Sequence, residues 1–485
     1  MVNRIGVNTT TSVQAGRGGT GVPSGRFQVA GITAEGPTGA RVVRSMAEYE
    51  DRYGARTPAA AHMHDAAALF FAEGGAELAV TRVTGPAALR DQVTLQNRAA
   101  PPVATLRVTA TAYGTSRLSV RVENDPTMQG AVIVRVLRDD TSVETWRGLT
   151  DPAAVVAAAE GSEWVTVTSL GAATVGAAAL PAAGTLELAG GTDDRAAVTV
   201  QHIAATLIAA GEVAPGGALA APGYPAEVLR DHLPAVAIRH RQVLLLSAPA
   251  DADPTEAAQL GQSMKGMDGG DRTGLFYPWV TVQDGARRRS VDPVAFVAAA
   301  RARAHVQGYW TVPAGERSRA VSLVGTVTPV DVATNDTLAE SSVNGLVTIA
   351  GSVRLYGWQS LATFEDLGLL STRDTLNGIE LAAVRVLEPF LFAQIDGRGH
   401  LQSKVEADVE GILAPLARAG ALFARVDDAG DEVDPGYQVS VDAAHNRLDT
   451  LARHELHVVI AVRLSPLAQL IQVEIVKVPL TAGLS

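Results

Sequence analysis

The period of the apolar pattern changes twice along these 485 residues, and those changes constrain the fold more than any motif does. From Phe27 to about residue 94, strand and helix signals alternate. Phe27-Gln28-Val29-Ala30-Gly31-Ile32 reads as a strand and residues 35–39 as a turn. Ser45 with Glu48 has capping-box spacing ahead of a short helix to Tyr53. Residues 58–73 read as a helix closed by Gly74-Gly75, and residues 77–83 as a strand. From about 95 to 194 the pattern turns to period-two, β-branched runs, at 105–109, 117–122, 131–136 and 163–167. Alternation resumes after 194. Residues 243–249 are a continuous apolar run, as in a strand covered on both faces; 254–264 read as a helix and 273–282 as one strand. This order predicts an α/β (α+β) multidomain fold, in which a β-rich insertion interrupts an α/β domain.

The last 140 or so residues form a further unit. Ile379, Ala383, Val386, Leu387 and Phe390 share a helical face that Pro389 would kink, and Leu401, Val405, Val409, Ile412, Leu413 and Leu416 make a cleaner stripe ended by Gly420. The other face of that second helix carries charge between Lys404 and Glu410. Two strands are expected at 455–464 and 470–478; in the second, Ile471, Val473 and Ile475 alternate with Gln472 and Glu474. Residues 1–25, rich in Thr and Gly, hold too little apolar side chain to order themselves and read as an arm.

Composition excludes whole classes of chemistry. With no cysteine there is no disulfide, thiolate zinc site, iron–sulfur cluster or catalytic thiol. Forty Lys and Arg against 51 Asp and Glu give a net charge of −11 and no basic tail, which disfavours nucleic acid as a partner. The N-terminus lacks a signal-like apolar run and no stretch of about 18 apolar residues follows, so a cytosolic, soluble chain is expected. Motifs fail one by one. Gly16-Arg17-Gly18-Gly19-Thr20-Gly21 matches the dinucleotide glycine pattern but lacks a strand before it and a helix after it. His454-Glu455-Leu456-His457 has i, i+3 rather than i, i+4 spacing and reads as a strand start, while His62 and His64 cannot converge from one helix. The acidic pairs at 139–140, 193–194 and 427–428 sit in turn-like settings where Asp bonds the backbone. Arg287-Arg288-Arg289 and Arg239-His240-Arg241 read as solvated loop tips or as ion-pair contacts to an acidic neighbouring subunit. No catalytic constellation, cofactor site or metal site emerges, which points to a structural or binding protein.

Several segments together resemble the tail sheath proteins of contractile phage tails, injection systems and R-type bacteriocins. Gly31-Ile32-Thr33-Ala34-Glu35-Gly36-Pro37, followed by residues 45–54, is similar to that family's opening. Phe70-Phe71-Ala72-Glu73-Gly74-Gly75 running into Ala79-Val80-Thr81-Arg82-Val83 matches its next block, and Leu188-Ala189-Gly190-Gly191-Thr192-Asp193-Asp194 the motif closing its insertion. Leu275-Phe276-Tyr277-Pro278-Trp279-Val280, residues 309–315, and Asn344-Gly345-Leu346 through residues 353–361 continue the series in order. The family's usual N-terminal Pro-Gly-Val-Tyr segment is missing, and Trp358-Gln359 departs from its pattern.

The resemblance implies a sheath protomer with extended N- and C-terminal strand arms: an arm at 1–25, a discontinuous middle α/β domain at 26–94 and 195–343, an outer β-rich insertion at 95–194, a tube-proximal domain at 344–466 and an arm at 467–485. It implies stacked hexameric rings of the chain itself around an inner tail tube protein, with baseplate and tail terminator proteins at the ends. Neither direct nucleic-acid binding nor membrane insertion is expected, and the location would be a virion tail or injection particle assembled in the host bacterial cytoplasm. Arm strands carrying Ile5, Val7, Ile471, Val473 and Ile475 would pair with a neighbour's sheet, and Lys404, Glu406 and Glu410 would face the tube. A non-contractile coat or surface-layer protein, and an α/β enzyme with an unrecognised site, remain the rival readings.

Overall fold

The computed structural model describes residues 25–210 and 216–469. The chain runs β1 (Phe27–Gly31), β2 (Arg41–Val43), α1 (Met46–Tyr53), α2 (Ala61–Ala72) and β3 (Leu78–Arg82). A run of strands follows: β4 (Arg90–Gln96), β5 (Ala104–Tyr113), β6 (Leu118–Asn124), β7 (Val132–Arg138), β8 (Thr141–Leu149), then α3 (Pro152–Ala158), β9 (Val165–Ser169) and β10 (Gly184–Glu187). Alternation returns with α4 (Val200–Ala210), β11 (Ala218–Ala220), α5 (Ala226–Leu229), α6 (Leu233–Arg239), β12 (Val243–Ser247), α7 (Pro254–Met264) and β13 (Thr273–Tyr277). A hairpin of β14 (Val280–Asp284) and β15 (Arg287–Val291) leads to α8 (Val294–His305), β16 (Leu323–Thr326), α9 (Val332–Glu340), β17 (Val343–Ile349) and β18 (Ser352–Leu355). The remainder is α10 (Leu370–Leu387), α11 (His400–Arg418), β19 (Arg425–Val426), β20 (Glu432–Asp434), β21 (Tyr437–Ser440), α12 (Leu448–Ala452) and β22 (Val459–Val462).

An eight-stranded sheet, β18-β17-β13-β12-β11-β1-β3-β2, carries the first part of the molecule. Its inner neighbours are parallel, and only the edge strands β2 and β18 run antiparallel to theirs. Parallel strands need crossover helices, and these cover both faces. One face packs on α2 and α8 through Met63, Phe70, Phe296 and Val297, and the other on α4, α6, α7 and α9 through Ile203, Val236, Leu260 and Leu338. The apolar run at β12 is buried at every position, as its composition required. Local chemistry sets the helix starts. Ser45 Oγ accepts from the Glu48 N–H at 3.1 Å, while the Glu48 carboxylate accepts from the Arg44 N–H, one residue earlier than a strict capping box would use. At α7, Asp253 and Glu256 form the reciprocal box.

The insertion wraps two antiparallel sheets, β4-β5-β9 and β10-β6-β7-β8, around Leu95, Leu106, Val108, Val120, Val134, Val136 and Val165. Its pairing begins at Arg90, ahead of the expected residue 95, because β4 already pairs with β5 from there. Arg82 ties it to the main sheet: the buried guanidinium donates to Gly36 O at 2.5 Å and Tyr113 O at 2.8 Å and reaches Asp193 at 3.5 Å. The loop closing the insertion needs Gly191, since a Cβ there would lie 2.3 Å from Gly114 O.

Other expectations shift for stated reasons. The single strand expected over 273–282 divides at Pro278, which has no N–H to continue a ladder; β13 stays in the large sheet and β14 pairs with β15 and β16 instead. Arg287-Arg288-Arg289 is strand β15, not a loop tip, and Arg289 lies between Asp65 at 3.1 Å and Asp284 at 2.6 Å. The strand expected over 455–464 is confined to β22. Asn446 holds both backbone groups of His457, with His457 N–H donating at 2.6 Å and His457 O accepting at 2.8 Å, so they are not available to a ladder. Residue 344, the expected start of the last domain, lies inside β17, whose Leu346 belongs to the main core. The chain instead divides into two compact units after Gly378, within α10.

Candidate assembly surfaces

Among the described residues, the second unit holds a small sheet of two strands, β21 and β22. On α11, Val405, Val409, Ile412, Leu413 and Leu416 are buried, which follows their i, i+3, i+4 spacing, and the helix packs on β21, where Val439 is also buried. Strand β21 pairs with β22 in antiparallel register, Tyr437 opposite Val462 and Ser440 opposite Val459. Among the described residues each strand has its second edge unpaired over that span. Only beyond β22 does a further pairing appear, Leu422 opposite Leu464, with Phe423 N–H donating to Arg463 O at 2.8 Å. Two strands alone are marginal in water, and an open edge is a template for another strand. The surrounding surface is apolar for an exposed region: Phe423, Val426, Val433, Leu448 and Val459 all stand in solvent.

Polar contacts stiffen this sheet. Arg463 Nη1 meets Asp434 Oδ1 at 2.8 Å, and that hydrogen bond holds the Asp434 carboxyl below its usual range. Asp442, just past β21, accepts from Ser440 Oγ at 2.6 Å and from the Ala444 and His445 N–H groups, and meets His445 Nδ1 at 3.0 Å. Hydrogen bonding from Ser440 and His445, in that order, lowers its pKa to about 2.

Lys404, Glu406 and Glu410 do lie on α11, but not on one face. Lys404 and Glu410 are exposed and Glu406 is half-buried. At 3.6 residues per turn Lys404 and Glu406 point about 160° apart, on opposite flanks of the Val405–Val409 stripe, whereas Glu406 and Glu410 are about 40° apart. Lys404 Nζ instead sits 5.4 Å from the centre of the Phe390 ring. Ile5, Val7, Ile471, Val473 and Ile475 lie outside the described residues. Strand β22 lies within the strand expected over 455–464, but its partner β21 was missed: Tyr437-Gln438-Val439-Ser440-Val441 alternates after Pro435-Gly436, and that was its signal.

Several titratable groups of the first unit have structural partners. Asp193 accepts from Arg195 and Arg82, and the Arg195 hydrogen bond keeps its carboxyl low against the opposing effect of burial. Asp139 and Asp140 occupy left-handed turn positions, and Asp139 pairs with Arg117 at 3.1 Å. His64 bonds Glu50 at 3.0 Å. Asp374, fully buried, takes Arg301 Nη2 at 2.6 Å with His305 Nε2 at 3.6 Å. Among the described residues no group of three His, Asp or Glu could hold a metal ion, and no helix is long and apolar enough to cross a membrane.

No protein-family model and no curated protein matches the chain. Solved structures do. A sheath tail protein from Listeria innocua aligns at a TM-score of 0.63 and 15% identity, over 87% of this chain and 89% of that one. One from Desulfitobacterium hafniense aligns at 0.52 and 18%, over 90% and 94%. The helical sheath of the anti-feeding prophage in its contracted state aligns at 0.54 and 14%, over 98% of this chain and 100% of that one. Over most of its length the chain thus shares its fold with sheath proteins.

Proposed function

We propose that this chain is the structural subunit of a contractile sheath, polymerising as stacked hexameric rings around an inner tube and contracting to drive that tube through a target cell envelope. The observation that carries the reading is the likeness to sheath proteins along nearly the whole chain, the terminal unit included. The open β21–β22 sheet supports it. Main-chain hydrogen bonds to an added strand tolerate sequence change and persist while rigid bodies rotate, which suits a mesh that must reorganise without parting. In this reading the segments around Ile5 and Val7 and around Ile471, Val473 and Ile475 are the donors, and the sheets of neighbouring copies the acceptors. The 95–194 insertion faces outward, and α11 faces the tube through Glu406 and Glu410 on one flank and Lys404 on the other. Baseplate and terminator proteins bound the polymer, in a virion tail or injection particle.

Electron microscopy of the recombinant protein is expected to reveal long hollow tubes. Removing residues 1–20 or 468–485 should leave monomers or small rings; undiminished tubes from both truncations would sink strand exchange, and no ordered polymer from the full chain would sink the sheath reading. Charge reversal at Lys404, Glu406 and Glu410 should weaken co-sedimentation with the tube while sparing sheath polymerisation.

A further inference from the structure

We propose that a cleft between the main sheet and the insertion, inside the first unit, binds a short neutral oligosaccharide. Its volume is about 480 Å³, within the roughly 300–1,000 Å³ range of small-ligand sites. One wall is the turn before β2 together with the end of α1; the other is the end of β5, residues 115–116 and the segment leading into β9. A second hollow of about 250 Å³ shares Thr38 and Tyr113 with it, so the two adjoin as a groove suited to a chain of rings rather than to one compact ion.

The charge of the lining selects against ions. Arg41, Arg52 and Arg138 are matched by Glu35, Asp51 and Glu163, so the cleft has no net charge to offer a phosphate or a polycation. Part of that charge is already engaged: Glu35 accepts from Arg117 at 2.5 Å and from Arg138 at 2.7 Å. The rest is not. Among the described residues, the side chains of Thr38, Thr115, Asp51 and Glu163 make no hydrogen bond or ion pair, and Arg41 donates only to its neighbour Ala40 O, at 3.2 Å. Two carboxylates that only accept, two hydroxyls that do both and a guanidinium that only donates are thus gathered in one concavity. A ligand that satisfies them presents many hydroxyl groups and no charge, which is what a neutral pyranose does.

Aromatic surface completes the pattern. Trp164 is half-buried in the lining with the Arg138 guanidinium 5.3 Å from its ring, and Tyr113 is held the same way by Arg90 at 4.6 Å. Such rings are fixed flat walls, suited to the C–H face of a sugar. An extended peptide fits less well, because the neighbouring sheet edge β2 is only three residues long.

The proposal does not rest on the sheath reading, since every group named lies in one unit of one chain. Saturation-transfer NMR of the full chain with maltotriose, cellotriose and tri-N-acetylchitotriose tests it. At least one is expected to bind with Kd in the roughly millimolar range, and Asp51→Asn with Glu163→Gln to weaken it about ten-fold or more, with unchanged circular dichroism. Trp164→Ala should abolish the signal. No transfer from any of the three, transfer unaffected by the Asp51 and Glu163 changes, or displacement of the sugar by inorganic phosphate would each overturn the assignment.

Discussion

Proline at Ile460 tests the open edge of β22 with little disturbance to the rest. Arg463 N–H bonds Gly436 O across β21, so by alternation the N–H groups of Val459 and Ala461 face β21 while those of Ile460 and Val462 face the open edge. Those two residues offer about four hydrogen bonds to an added strand, each worth about 1 kcal/mol net. Proline at 460 deletes one donor, and its ring keeps the incoming strand from reaching the carbonyl of the same residue. The loss is about 2 kcal/mol per contact, which raises the critical concentration for polymerisation about thirty-fold. Pelleting across a concentration series reads this directly. Ile460→Ala controls for the half-buried side chain, and Ala461→Pro, whose N–H faces β21, should instead unfold the hairpin. If Ile460→Pro pellets at the wild-type concentration while its melting is unchanged, β22 is not an acceptor edge.

Asp374→Ala leaves Arg301 buried without its carboxylate and should cost about 3–5 kcal/mol in urea unfolding; a loss below about 1 kcal/mol would mean the pair is not desolvated as the structure has it. The Asp442 carboxyl should titrate near 2 by NMR and move back toward 3.8 in Ser440→Ala and His445→Ala. Because its folded pKa is depressed, its contribution to stability is present above the unfolded value of 3.8 and fades as pH falls toward about 2. Titration near 4 in the intact protein would refute that hydrogen-bond network. Arg82→Met removes the donors to Gly36 O and Tyr113 O; it should cost about 2–4 kcal/mol and expose the 83–90 and 188–195 connections to protease. Unchanged proteolysis would show that the insertion is anchored elsewhere.

What could be read from the sequence is what burial writes into composition. Strand β12 was legible because a strand covered on both faces must be apolar at every position, and α11 because a helix covered on one face must repeat every three or four residues. The break at Pro278 was visible as a residue and overlooked as a consequence, since the apolar run continues across it. Arg301 with Asp374 was not legible at all: the two are 73 positions apart, and nothing local distinguishes a buried charge from an exposed one. The β21–β22 sheet was half legible for a related reason. Its two strands are each four residues long, and a short alternation carries little pattern.

The contrast between the two sheets bears on how such a mesh would hold. The eight-stranded sheet has helices on both faces and short edge strands, three residues at β2 and four at β18, so its stability is internal and its edges invite little pairing. Among the described residues, the β21–β22 pair has one helix against it, apolar side chains in solvent and open edges. Packing on α11 supports it, and a strand added at an open edge would extend it. In the proposed sheath, labour would divide by stability: one body would keep its shape through a rearrangement, and the other would gain order from neighbouring copies. The link between copies would then be strongest where the isolated chain is weakest. Hydrogen exchange should accordingly find β21 and β22 poorly protected in the dispersed chain and protected in the polymer, with β12 unchanged between the two. Equal protection of β22 in both states would mean that its sheet is already complete, and that the copies join elsewhere.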